Sequence, residues 1–159
     1  MIKAGDKIPS TTFMVMTAEG PKPRTTDEVF AGKKVVLFGV PGAFTPTCHK
    51  NHLPGFLAKE GEIRAKGVNT IAVTSVNDAF VMGAWAKDTG ADGKIDFLAD
   101  GSANFAKAIG LTVDLTERGL GLRSRRYAMI VDNGIVKSVN VEEAAGVEVS
   151  GADHILKQL

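Results

Sequence analysis

One cysteine, Cys48, stands in a chain of 159 residues, at the end of the segment Pro41-Gly42-Ala43-Phe44-Thr45-Pro46-Thr47-Cys48. As a thiolate, cysteine sulfur is a strong nucleophile, and it is one of the few protein atoms that cycles between oxidation states. Thr47 is predicted to cap a helix whose first turn carries Cys48, His49 and Lys50. Backbone N–H groups at a helix start lack partners within the helix, and together with the helix dipole they favour negative charge on the sulfur. Thr45, three residues earlier, can bring its hydroxyl alongside, accepting from a substrate proton and donating to the sulfur. Pro41 and Pro46 stiffen the loop without adding N–H donors, and Pro41 could shield the sulfur from water. Farther along, Arg126 precedes an apolar run, where a guanidinium can stabilise the sulfur's charge and hold an oxidant's oxygens as their bond breaks. Each feature has a plainer reading: an inert buried thiol, a capping threonine, turn-forming prolines, a surface arginine.

The elements that must position these groups follow from periodicity and punctuation. After a polar, proline-punctuated lead-in, residues 35–40 (Val-Val-Leu-Phe-Gly-Val) form a continuous apolar run of strand length, stopped by Pro41-Gly42. The helix begun at Cys48 is predicted to kink at Leu53-Pro54-Gly55, resume over 56–66 and stop at Gly67. Residues 69–75 read as a second buried strand, and Asn77-Asp78 cap a helix over 79–87. A short strand at 95–98, a short helix at 102–109 and a glycine- and arginine-rich loop at 119–125 come next. Apolar runs 127–131 and 135–141 flank Asp132-Asn133-Gly134, the signature of an antiparallel hairpin. A final helix over 152–159 places Ile155, Leu156 and Leu159 on one face. Parallel βαβ units followed by a hairpin and a helix predict one α/β domain over residues 1–159, thioredoxin-like, with a central mixed β-sheet flanked by helices.

Composition limits the partners. Nineteen basic residues against 18 acidic ones leave a net charge of +1, too little to hold a polyanion, so no nucleic acid is expected. The one dense basic stretch contains Arg118, Arg123, Arg125 and Arg126, and reads as a solvated loop for the first three. No apolar run approaches the roughly 20 residues that span a bilayer. The N-terminus shows neither a signal core nor an arginine-rich amphipathic stretch, so a cytoplasmic location is expected. A lone cysteine forms no disulfide within its own chain.

The motif Pro41-Gly42-Ala43-Phe44-Thr45-Pro46-Thr47-Cys48 resembles the P-x-x-x-T-x-x-C signature of peroxiredoxins. His52-Leu53-Pro54-Gly55-Phe56, the segment 75–81 (SVNDAFV) and the segment 126–134 (RYAMIVDNG) are similar to the peroxiredoxin-5 or type II subfamily, so the resemblance spans nearly the whole chain. It implies reduction of hydrogen peroxide and alkyl hydroperoxides without a cofactor, with Cys48 as the peroxidatic cysteine, Thr45 its hydroxyl partner, Pro41 the shielding proline and Arg126 the distant arginine. It also implies a homodimer packed near the active-site loop. Many members carry a second, resolving cysteine; here residues 71–75 and 147–151 contain none. Reduction of the oxidised sulfur is therefore expected from an external thiol, with glutathione or glutaredoxin ahead of thioredoxin.

Three rivals are retained. Cys48, His49 and His52 form a compact C-H-x-x-H cluster that suggests a metal site, although His49 lies about 100° away from the face shared by the other two and reads as solvent-facing. A Cys-His hydrolase would use His52 or His154 as its base. A binding or chaperone-like module could use the same scaffold without catalysis.

Overall fold

The apolar run after Lys33 becomes the centre of a seven-stranded sheet in the computed structural model, which describes residues Met1–Leu159. The strands are β1 (Thr12–Thr17), β2 (Gly20–Thr25), β3 (Lys34–Gly39), β4 (Thr70–Ser75), β5 (Asp96–Ala99), β8 (Tyr127–Asp132) and β9 (Ile135–Val141), ordered β2-β1-β5-β4-β3-β8-β9. β3, β4 and β5 run parallel, and the outer strands join them antiparallel, giving a mixed sheet. Helices α1 (Thr26–Phe30) and α5 (Asn104–Ile109) pack on one face. Helices α2 (Leu53–Ala58), α3 (Glu60–Ala65), α4 (Ala79–Thr89) and α6 (Ala152–Gln158) cover the other. This is the thioredoxin-like arrangement of a central mixed sheet flanked by helices. No helix is long and apolar enough to cross a membrane.

Strand alternation divides the core into two. Val36, Phe38 and Val40 point into the cluster that contains Cys48, Phe56 and Trp85. Val35 and Leu37 point into the opposite cluster, with Phe13, Phe105 and Tyr127. In β8 the same alternation sends Ala128 and Ile130 to the Cys48 side and Tyr127, Met129 and Val131 to the other.

Two segments differ from the sequence reading. The lead-in is a β-hairpin, β1 and β2, followed by α1; Pro21 and Pro23 are tolerated because β2 is an edge strand. Residues expected as a loop at 119–125 include β7 (Gly121–Ser124), which pairs antiparallel with β6 (Thr112–Leu115) in a small separate sheet. The short β6 and β7 lack the apolar density of a buried strand, whereas β1 carries Phe13, Met14, Val15 and Met16, with Phe13 wholly buried, and is a core strand that the polar lead-in concealed.

Candidate active site

The active-site helix begins one residue before Thr47. Thr47 is already helical and makes no side-chain cap bond; helical backbone starts at Pro46, and the Thr45 carbonyl accepts from the His49 N–H at 2.8 Å. Proline at the first helical position forfeits no bond, since that N–H has no intrahelical partner. Cys48 stays in the first turn, but the turn is widened: Cys48–His52 is π-helical, with the Leu53 N–H reaching five residues back to the Cys48 carbonyl. Wide turns of this kind are frequent at functional sites. Pro54 falls in the first turn of α2, immediately after the widened segment, and a second break at Lys59 separates α2 from α3.

Sheet register brings Arg126 to the cysteine. β8 lies antiparallel to β3 with Gly39 opposite Tyr127, so the start of β8 meets the end of β3, where the Pro41–Cys48 loop departs. Arg126 shares parity with Ala128 and Ile130, so its side chain leaves on the Cys48 face. There Arg126 Nη2 donates to Cys48 Sγ at 3.0 Å, and Nη1 lies 2.9 Å from His52 Nδ1.

His52 is buried at the far end of the widened turn. Its Nε2 lies 2.8 Å from the Ser150 carbonyl, which can only accept, and its Nδ1 faces a guanidinium, which can only donate. The ring is therefore neutral, with its proton on Nε2. Burial, and less strongly the Arg126 charge, lower its pKa from 6.5 to about 4, against the opposing bond to Ser150.

The loop is held from both sides. Arg123, on β7, donates through Nη1 to the Pro41 carbonyl at 3.1 Å and through Nε to the Leu120 carbonyl at 2.9 Å. On the β4 side, Asn77 Oδ1 accepts from the Ala43 N–H at 3.0 Å and from the Ser75 hydroxyl at 2.6 Å. Gly42 is closely covered: a Cβ there would lie 2.7 Å from Arg123 Nη1 and 2.9 Å from Thr45 Cγ2, so one or both side chains would have to shift. An open cleft of about 790 Å³ has Pro41, Thr45, Leu115, Arg118, Leu120 and Arg126 in its lining.

Pro41, Thr45, Cys48 and Arg126 thus converge, with three corrections of detail. Cys48 is only 1% exposed, not open to solvent, and does not itself line the cleft; Arg126 lines the cleft and also touches the sulfur. The Thr45 hydroxyl donates to the Gly42 carbonyl at 2.7 Å rather than to the sulfur, which leaves its lone pairs to accept. His49 is half-buried, with Nδ1 accepting from the Trp85 indole N–H at 3.0 Å, because α4 packs over the turn. The sulfur's hydrogen-bond partner is thus an arginine and not a histidine. Both His52 nitrogens are engaged, which disfavours the metal and hydrolase readings. Sequence reasoning passed over Ser150 and read Arg123 as part of a solvated loop, whereas its guanidinium is bonded to the Pro41 and Leu120 carbonyls.

A family model described as Redoxin matches residues 3–156. Peroxiredoxin-2E, chloroplastic, of Arabidopsis thaliana is 47% identical over 162 residues, covering 99% of this chain and 69% of its own length. Reduced Prx3 of Vibrio vulnificus, solved in complex with H2O2, superimposes with a TM-score of 0.95 at 52% identity and 99% coverage of both chains. Peroxiredoxin 5 of Alvinella pompejana gives a TM-score of 0.86 at 35% identity, covering 99% and 97% of the two chains.

Proposed function

The chain belongs to the redoxin family, within it to the peroxiredoxins, and on that footing we propose that it reduces hydroperoxides through Cys48 and is recycled by an external thiol. The observation that carries this reading is the Arg126 guanidinium 3.0 Å from the Cys48 sulfur, on a residue that lines an open cleft with Pro41 and Thr45.

The Cys48 thiolate attacks the terminal peroxide oxygen; the S–O bond forms as the O–O bond breaks, and the departing oxygen takes a proton and leaves as water or an alcohol. Arg126 acts in both states: it balances charge on the sulfur beforehand and stays within reach of the oxygens as negative charge moves onto the leaving group. Thr45 receives the peroxide O–H on its free lone pairs. Pro41 and Pro46 contribute no N–H and hold the loop rigid above the sulfur.

With one cysteine, the sulfenic acid on Cys48 has no internal partner. An external thiol attacks it, water leaves, and a mixed disulfide forms; a second thiol then displaces Cys48 as the thiol. Glutathione or glutaredoxin suits a chain without a resolving cysteine, and thioredoxin is the competing donor. Phe44 and Phe80, 45% and 67% exposed, support a homodimer packed near the active-site loop.

The test is peroxide consumption with dithiothreitol, then with glutathione plus glutaredoxin against thioredoxin. The parent chain should turn over, and Cys48→Ser should lose all peroxide consumption while keeping its fold; substantial rate in the serine variant would end the assignment.

A further inference from the structure

Glu142 is the first residue beyond β9, and its backbone N–H donates to the Arg126 carbonyl at 3.0 Å. Its carboxylate does not reach for a cation. One oxygen, Oε2, accepts from the backbone N–H groups of Glu148 (2.9 Å), Val149 (2.9 Å) and Ser150 (2.8 Å), and from the Ser150 hydroxyl (2.6 Å). Three successive N–H groups converging on one oxygen form a nest for negative charge, occupied here by a side chain of the same protein. Desolvation, the largest single influence, works against the charged carboxylate, but these bonds together outweigh it and hold Glu142 below the usual carboxylate range.

The gathered turn leads to the catalytic sulfur. Ser150 presents its carbonyl to His52 Nε2, His52 Nδ1 accepts from Arg126 Nη1, and Arg126 Nη2 donates to Cys48 Sγ. Since Glu142 is also bonded to the Arg126 backbone, the hydrogen bonds close a ring: Arg126, Glu142, Ser150, His52 and back to Arg126. We propose that Glu142 is a remote positioning residue that gathers the 148–150 turn, so fixing the His52 tautomer and through it the Arg126 guanidinium on the sulfur.

The physical reason is satisfaction of donors, chiefly those of the buried Ser150. Without the carboxylate, three backbone N–H groups and a hydroxyl lose their acceptor, and the turn no longer has cause to keep its shape. If the Ser150 carbonyl withdraws, the buried His52 N–H is left unpaired. Moving that proton to Nδ1 would set donor against donor at Arg126, and the guanidinium would have to turn. A misplacement of about 1 Å that originates far from the chemistry can cost about a hundredfold in rate.

The inference rests on Cys48 being the peroxide-reacting thiol, and its test separates the two ideas. In the full-length chain, nitrogen-15 histidine spectra report the His52 tautomer, and rapid mixing reports the rate constant for oxidation of Cys48 by hydrogen peroxide. The parent should show His52 protonated on Nε2 alone. In Glu142→Ala that signature should become a mixture, with the rate constant reduced roughly ten- to a hundredfold; Glu142→Gln should show both changes at smaller size, and decides the matter if the alanine variant does not fold. A purely structural role would shift the denaturation midpoint while leaving the native tautomer alone. An unchanged His52 signature overturns the proposal, as does an altered one with an unchanged rate. A parent chain inert to peroxide would defeat the peroxidase reading, and the spectra would still report whether Glu142 governs the tautomer.

Discussion

At the scale of single residues, the site depends on a few donors whose direction leaves no choice. Arginine cannot accept and a carbonyl cannot donate, so His52 must be neutral between them. This neutrality has a thermodynamic consequence. In the unfolded chain the imidazole takes up a proton near pH 6.5, and in the native state only near 4. Between those values the unfolded state binds a proton that the native state refuses, so stability falls as pH drops from about 6.5 to about 4 and the effect then levels off. The contribution is about 3 kcal/mol at most. Denaturant titrations across that window should show a shallower pH slope for His52→Gln than for the parent; equal slopes would mean that the ring is not held neutral.

At the scale of elements, the pairing of β3 with β8 sets the distance between loop and arginine. Gly39 faces Tyr127, and a Cβ at Gly39 would lie 2.2 Å from the Tyr127 ring. Tyr127 is wholly buried, so its ring has nowhere to retreat, and the strands approach as they do only because position 39 has no side chain. Gly39→Ala should therefore destabilise the fold by at least about 1–3 kcal/mol, the usual cost of overpacking a filled core. A denaturant midpoint close to the parent's would show that the ring can move. The same substitution should slow the peroxide reaction, because Val40 and Pro41 follow directly and any parting of the strands separates Arg126 from Cys48.

At the scale of the whole molecule, the sheet separates stability from chemistry. Phe105 lies in the cluster on the face away from Cys48, packed on Phe13 with ring centroids 4.8 Å apart. Phe56 lies in the Cys48 cluster, stacked on Phe38 at 4.2 Å and near the His52 ring at 5.6 Å. Truncation of either to alanine should cost about 3–5 kcal/mol in stability. Phe105→Ala should nevertheless keep the peroxide rate constant within roughly twofold of the parent, since distant sites act independently. Phe56→Ala should lower both, because it removes the ring packed beside His52; matching rate losses in the two variants would contradict this division.

The sequence by itself determined the parallel core strands, the Asn133-Gly134 hairpin, the terminal helix and the stretch from Pro41 to Cys48, because each is written in local periodicity or in residues with few conformational options. It also marked Arg126 as a strand-end residue, though without showing where the side chain would go. Tertiary structure alone decided that the turn at Cys48 widens, that Thr45 gives its proton to Gly42, and that His52 stands behind Arg126 with Ser150 and Glu142 behind it. The small sheet of β6 and β7 was equally hidden, since its short strands are not apolar enough to announce themselves, whereas β1 carried a readable apolar run, Phe13 to Met16, inside an otherwise polar lead-in. For the partners behind Arg126 the reason is distance: His52 and Ser150 stand 98 residues apart in the chain, and a hydrogen bond across that separation leaves no periodic trace in it.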